Sequence, residues 1–282
     1  NLGDTEQAIL SYQEAIDIDP DNEVAALALI DHYFSLEKWA RVIPLLEKLL
    51  DNDGGDTVGE EGHLLHHRRL ALAYEELGQD AKAILQFEKV YSLDAADRVA
   101  LEGLARLMGK AGEHEKSVQL LSEIDSQHGV SLEQEDRVLL LLQQGESSLA
   151  MGEKGKAQEC FERALAEDDE NTEALKHLIE IHKSKVDWER VVDCKVRLVK
   201  LLQNDLERFS ILLELGDILK DKLGRVEEAV KAYKDALKHN EDSIAVLHRL
   251  LEIFSQSEQW KRAAEILVKM AQLETDPARL AV

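Results

Sequence analysis

Residues Phe209–Met270, FSILLELGDILKDKLGRVEEAVKAYKDALKHNEDSIAVLHRLLEIFSQSEQWKRAAEILVKM, decide how the chain folds. Leu212, Leu215, Gly216 and Leu219 recur at helical spacing, and Gly224 marks the end of that helix. A second helix starts near Val226 and carries Ala229, Tyr233, Ala236 and Leu237 on one stripe. Asn240 and Asp242 break the pattern. Leu247, Leu250, Leu251 and Phe254 then line a third helix, and Ala263, Leu267 and Met270 a fourth. Gly216, Ala229, Ala236 and Ala263 fall where two helices approach closely, because a larger side chain there would wedge them apart. The stretch therefore reads as two successive helical hairpins.

The same hairpin recurs along the whole chain. Anchored on the small residue inside each second helix, it falls at Ala8, Val42, Ala83, Ser117, Ala157, Val191, Ala229 and Ala263. The gaps alternate between 34 residues and a longer 41, 40 or 38. The repeating unit is thus a pair of unlike hairpins. In the first kind a glycine stands five residues before the anchor (Gly3, Gly78, Gly152, Gly224), where it ends the preceding helix in a left-handed conformation. An aromatic follows the anchor by four (Tyr12, Phe87, Phe161, Tyr233) and fills the gap between layers. In the second kind the residue three before the anchor is Trp39, His114, Trp188 or Trp260, so all three tryptophans share one structural place.

A 34-residue helix–turn–helix period with these small and aromatic positions resembles the tetratricopeptide repeat family. Gly3–Asn22, GDTEQAILSYQEAIDIDPDN, is similar to that family's second helix and closing Asp-Pro, and Gly145 and Gly216 match the small residue of its first helix. The alternating pairs look most like bacterial arrays. The resemblance covers essentially all 282 residues. It implies an all-α, right-handed α-solenoid of antiparallel helix hairpins, forming a single array over 1–282. Seven hairpins are expected to be complete, at 23–50, 61–96, 97–127, 132–171, 172–203, 205–241 and 242–273. Half-hairpins at 1–22 and 276–282 flank them, and 51–60 is an acidic loop. Pro44 is expected to bend the second helix of 23–50, since it cannot donate to the Ala40 carbonyl.

Composition narrows the function. Three Pro, 15 Gly and 5% aromatic residues suit a helical chain, and no alternating strand signal is present. A net charge of −23 disfavours nucleic acid and anionic membrane surfaces, and no apolar run reaches the length of a membrane span. Cys160 and Cys194 occupy equivalent places in adjacent hairpins, too far apart for a disulfide. Free thiols favour a reducing compartment, the cytoplasm, with the periplasm as the alternative.

No catalytic constellation emerges, and the expectation is a non-enzymatic protein without cofactor or metal. His63 and His67 have the i, i+4 spacing of zinc ligands but lack a third ligand and a HExxH glutamate. Asp51, Asp53 and Asp56 suggest a calcium loop, yet Gly55, Asp56 and Gly62 occupy places where an EF-hand needs Asp or Asn, Gly and Glu. Gly152–Ala157 lacks the spaced glycine and Ser/Thr of a phosphate loop.

Function is therefore expected at the surface. The resemblance implies a concave groove lined by the first helices, holding a peptide or segment of a partner protein. A carboxylate clamp is disfavoured, because one of its rows would read Asp31, Leu72, Arg106, Glu146, Glu180, Asp217 and Glu252, mostly acidic. Val138-Leu139-Leu140-Leu141-Leu142 has more apolar residues than one buried face needs. By repeat place, Leu142 and Leu149 should face the groove, with Arg68, Leu72, Arg106 and Lys110 on preceding helices and Leu27 and Phe34 beyond. Leucines beside basic groups suit an acidic amphipathic partner segment. The alternatives are a scaffold self-associating into homo-oligomers, and the regulatory part of a larger protein.

Overall fold

The computed structural model describes residues 2–52 and 59–274. The acidic loop, apart from its two ends, and the expected final half-hairpin lie outside the described residues. Among the described residues every regular element is helical, and the chain forms two compact units, Asn1–Glu153 and Lys154–Val282.

Unit 1 contains α1 (Leu2–Ile18), α2 (Glu23–Ser35), α3 (Trp39–Asn52), α4 (Gly59–Glu76), α5 (Asp80–Leu93), α6 (Arg98–Lys110), α7 (His114–His128) and α8 (Gln134–Ala150). Each helix packs on the next in chain order, as an antiparallel hairpin stack requires. Unit 2 repeats the arrangement with α9 (Lys154–Glu167), α10 (Thr172–Ser184), α11 (Trp188–Leu201), α12 (Asp205–Asp221), α13 (Val226–His239), α14 (Ile244–Gln256) and α15 (Trp260–Glu274). The all-α hairpin class expected from the sequence is the class observed. The helix α1 takes in Gly3 instead of starting after it, and α3 continues through Pro44.

Local chemistry explains the helix ends. Asn22, Asp97, Asn171 and Ser243 hold equivalent places, and each accepts a bond from the backbone N–H three residues on, opening α2, α6, α10 and α14. In the first-kind hairpins Gly78, Gly152 and Gly224 are left-handed, with φ of 68°, 77° and 66°. The second kind also turns through a left-handed residue, which the sequence reading did not anticipate. It lies two positions before the Trp or His and is Gly112 in one hairpin but Glu37, Val186 and Glu258 in the others.

The two kinds of landmark residue sit where expected. Trp39, His114, Trp188 and Trp260 each open a second helix. Phe87, Phe161 and Tyr233 are buried to the last atom beside the buried anchors Ala83, Ala157 and Ala229. The Phe87 ring presses on Gly103 of the next hairpin, where an added Cβ would lie 2.5 Å from it. Phe161 instead stacks on His177 of α10, with ring centres 4.5 Å apart. These aromatics are the inter-layer filling of the core.

Candidate partner-binding groove

The first helices of unit 1 are joined by side chains that cross from one hairpin to the next. Arg69 of α4 donates to Asp31 of α2 at 2.6 Å, with its guanidinium over the Phe34 ring. Arg106 of α6 grips both oxygens of Glu75 on α4, each at 2.7 Å. Arg98 of α6 bridges Glu102 and Asp136 of α8 at 2.6 and 2.7 Å. Hydrogen bonds to these carboxylates hold the Arg98 and Arg106 guanidinium pKa values above their ordinary range.

Two hollows open along this row. The first, about 230 Å³, is lined by residues of α6 and α8 together with His114 and Ser117 of α7. Its rim carries Arg106, Lys110, Gln143 and Glu146. Ser117 Oγ donates to the Ala105 carbonyl at 2.8 Å on its floor. The second, about 80 Å³, lies between Arg98, Glu102 and Arg106 on one side and Asp136, Leu139 and Gln143 on the other.

The structure moves the expected leucine. Leu142 is only 6% exposed, whereas Leu139 is 54% exposed and borders the smaller hollow. Three residues apart on a helix are neighbours, but the buried stripe takes Val138, Leu140, Leu141 and Leu142 and turns Leu139 outward. Leu142 is therefore core and not a groove residue. Of the other expected positions, Arg106 and Lys110 come together on the larger hollow. Leu27, Arg68, Leu72 and Leu149 are half-buried and do not line it. Phe34 is half-buried too, held edge-on against Trp39 with ring centres 5.0 Å apart.

The basic cluster is also not free positive charge. Arg68 pairs with the buried Asp97, Arg106 with Glu75, and Lys110 with Asp80 at 2.7 Å. An acidic partner segment would have to displace carboxylates already in place, so the electrostatic basis for it is lost. Residues 1–153 hold 31 acidic side chains against 12 basic ones, which makes unit 1 strongly negative. The residues missed from sequence were Arg98, Gln143 and Leu139; the first two carried no signal apart from their repeat place. His67, weighed as a metal ligand, bonds Gln86 Oε1 through Nδ1 at 2.8 Å.

Residues 2–58 match one family model, and residues 69–97 and 209–243 match a second, both described as tetratricopeptide repeat. The chain carries tetratricopeptide repeats. Solved structures share its fold. The C-terminal part of a TPR repeat-containing protein from Cytophaga hutchinsonii has a TM-score of 0.61, covering 89% of this chain and 97% of its own, at 14% identity. The MamA protein has a TM-score of 0.51, with coverages of 64% and 92% and 18% identity. YrrB, described as a TPR protein with an unusual peptide-binding site, has 0.50, with 72% and 96% covered and 13% identity. Lipopolysaccharide assembly protein B of Escherichia coli K12 is 24% identical over 196 residues, 68% of this chain and 49% of its own. The chain thus spans about half the length of the curated relatives it matches.

Proposed function

We propose that this tetratricopeptide array is a non-catalytic docking module whose first helices in unit 1 hold a segment of a partner protein. The observation that carries this reading is the row of hollows between α6 and α8, with Leu139 exposed at its edge and polar groups of both signs around it. An exposed leucine beside aligned hydrogen-bonding groups suits a partner that inserts apolar side chains and is oriented by its polar ones. The acidity of unit 1 favours a segment with basic residues, because long-range attraction raises the encounter rate. A solved neighbour described as having a peptide-binding site is consistent with this use of the fold. Peptides selected from a random display library on the whole chain test it. Selected binders are expected to combine Lys or Arg with apolar residues, and to lose binding to Leu139→Asp while its melting curve stays that of the parent. Binders indifferent to Leu139→Asp would refute the site.

A second reading rests on α15. Trp260, Leu267 and Val268 are 65%, 52% and 57% exposed and lie on one helical stripe. That stripe supports self-association through a second copy. Sedimentation equilibrium is expected to show mass rising with concentration for the parent and not for Leu267→Asp. Neither Cys160 nor Cys194 is in a disulfide, which supports a cytoplasmic location that cell fractionation checks.

A further inference from the structure

The larger hollow occupies a place that aromatic rings fill elsewhere in the same chain. The anchors Val42 and Ser117 are 75 residues apart. The same shift carries Phe34 to Gly109 and Trp39 to His114. On the following first helix, the 74-residue shift carries Arg69 to Gln143, Leu72 to Glu146 and Ala73 to Ser147. In the α2–α4 layer these positions form a filled stack: Phe34 against Trp39, with the Arg69 guanidinium 5.5 Å from the Phe34 ring centre. In the α6–α8 layer the phenyl is absent and imidazole replaces indole. What remains is the cavity of about 230 Å³ lined by Gly109, His114, Gln143, Glu146 and Ser147, several times the roughly 30 Å³ that a liquid water occupies.

Two further observations describe what fits there. A Cβ at Gly109 would meet Ser117 Oγ at 3.4 Å and Ser147 Oγ at 3.9 Å, ordinary contacts, so a side chain can start from this position without a clash. His114 Nδ1 is buried and has no hydrogen-bond partner. A buried ring nitrogen without a partner costs free energy, and a ligand that reaches it recovers that cost.

The geometry points to an anchor pocket for one aromatic side chain of the partner, a tyrosine or tryptophan whose O–H or N–H reaches His114 Nδ1. The partner supplies in trans the ring that Phe34 and Trp39 supply in cis one hairpin pair earlier. Gln143 lies over the ring where Arg69 lies over Phe34. Rigid aromatics in a pocket ringed by polar groups are the usual centres of binding energy at interfaces. The pocket deepens the docking reading above and rests on it.

The test uses p-cresol and toluene as probes, titrated into the isotope-labelled whole chain and followed by amide resonances. Binding of p-cresol in the about millimolar range is expected for so small a fragment, with shifts at Gly109, Ser117 and Ser147. Toluene, which cannot bond His114, is expected to bind about fivefold more weakly. The Gly109→Phe/His114→Trp double variant rebuilds the filled stack and is expected to abolish the shifts. Should that variant not fold, His114→Ala serves instead, and there the preference for p-cresol over toluene should vanish. No p-cresol shift at these amides, or equal affinity for both probes in the parent chain, would overturn the pocket. Peptides that bind through Leu139 without p-cresol binding would overturn the pocket alone. Probe binding with no selectable peptide would overturn the groove reading instead.

Discussion

Gly216→Ala sets two effects of opposite sign against each other in one hairpin. Gly216 lies inside α12, where alanine is better than glycine by about 1 kcal/mol in helix propensity. An added Cβ, however, would lie 2.4, 2.6 and 2.8 Å from three carbons of the Tyr233 ring. Carbon atoms settle at roughly 3.5–4.0 Å, so the ring or the helix must move by about 1 Å. The ring cannot yield cheaply. Tyr233 is fully buried, its hydroxyl donates to Asp217 Oδ1 at 2.6 Å, and Arg249 holds both Asp217 oxygens at 2.5 and 3.0 Å. Overpacking costs about 1–3 kcal/mol, and a strained Tyr233–Asp217 bond adds about 1 kcal/mol. The clash wins, for a net loss of roughly 1–3 kcal/mol. Thermal unfolding followed by circular dichroism is expected to show a drop of roughly 2–12 °C, at about 2–4 °C per kcal/mol. Gly155→Ala is the control, since nothing lies within 4 Å of its added Cβ, and its melting point should hold or rise slightly. In a Tyr233→Ala background the sign should reverse, with Gly216→Ala becoming stabilising through propensity. Melting of Gly216→Ala at or above the parent temperature, or an undiminished cost without the Tyr233 ring, would refute the reasoning.

Three more outcomes are expected. Val186 is left-handed at φ 59° and largely exposed, so Val186→Gly should stabilise unit 2 by about 1 kcal/mol, read as a raised urea midpoint with unchanged slope. Ala229 is fully buried at the α12–α13 contact, and Ala229→Leu should cost roughly 1–3 kcal/mol, seen as a lower melting temperature. Burial, aided by the nearby Arg190 charge, pushes the buried His182 imidazole below its ordinary 6.5. The unfolded chain then binds this proton more readily, so the stability due to neutral His182 is complete above pH 6.5 and is lost as pH falls through the folded value. His182→Leu should therefore narrow the gap between melting temperatures at pH 5 and pH 7; an unchanged gap would show that other groups carry it.

The repeat was legible in the sequence because its signals are local. A left-handed glycine, an N-cap and a small residue at a helix crossing each act over one turn or one hairpin, so position alone reveals them. Gly78, Ala157, Tyr233 and the shared place of Trp39, Trp188 and Trp260 are of this kind. The left-handed turns at Glu37, Val186 and Glu258 were not legible, because those residue types do not favour that conformation and only the packing of the flanking helices imposes it.

The groove was the part that needed tertiary structure. In Val138–Leu142 a run of five apolar residues has no internal phase, and a helix rotates by about 100° per residue. Which leucine is left outside depends on where the neighbouring helices stand, and they bury Leu142 and expose Leu139. Charge has the same logic. Arg68, Arg106 and Lys110 read as a basic patch in one dimension, but Asp97, Glu75 and Asp80 lie about 30 residues away along the chain and beside them in space. The sequence alone determined the hairpins, their alternation and their anchors, through interactions that span a few residues. The identity of the exposed leucine, the neutralised cations and the cavity left between Gly109 and His114 were decided only when one hairpin was stacked on the next, since each depends on side chains the neighbouring layer supplies.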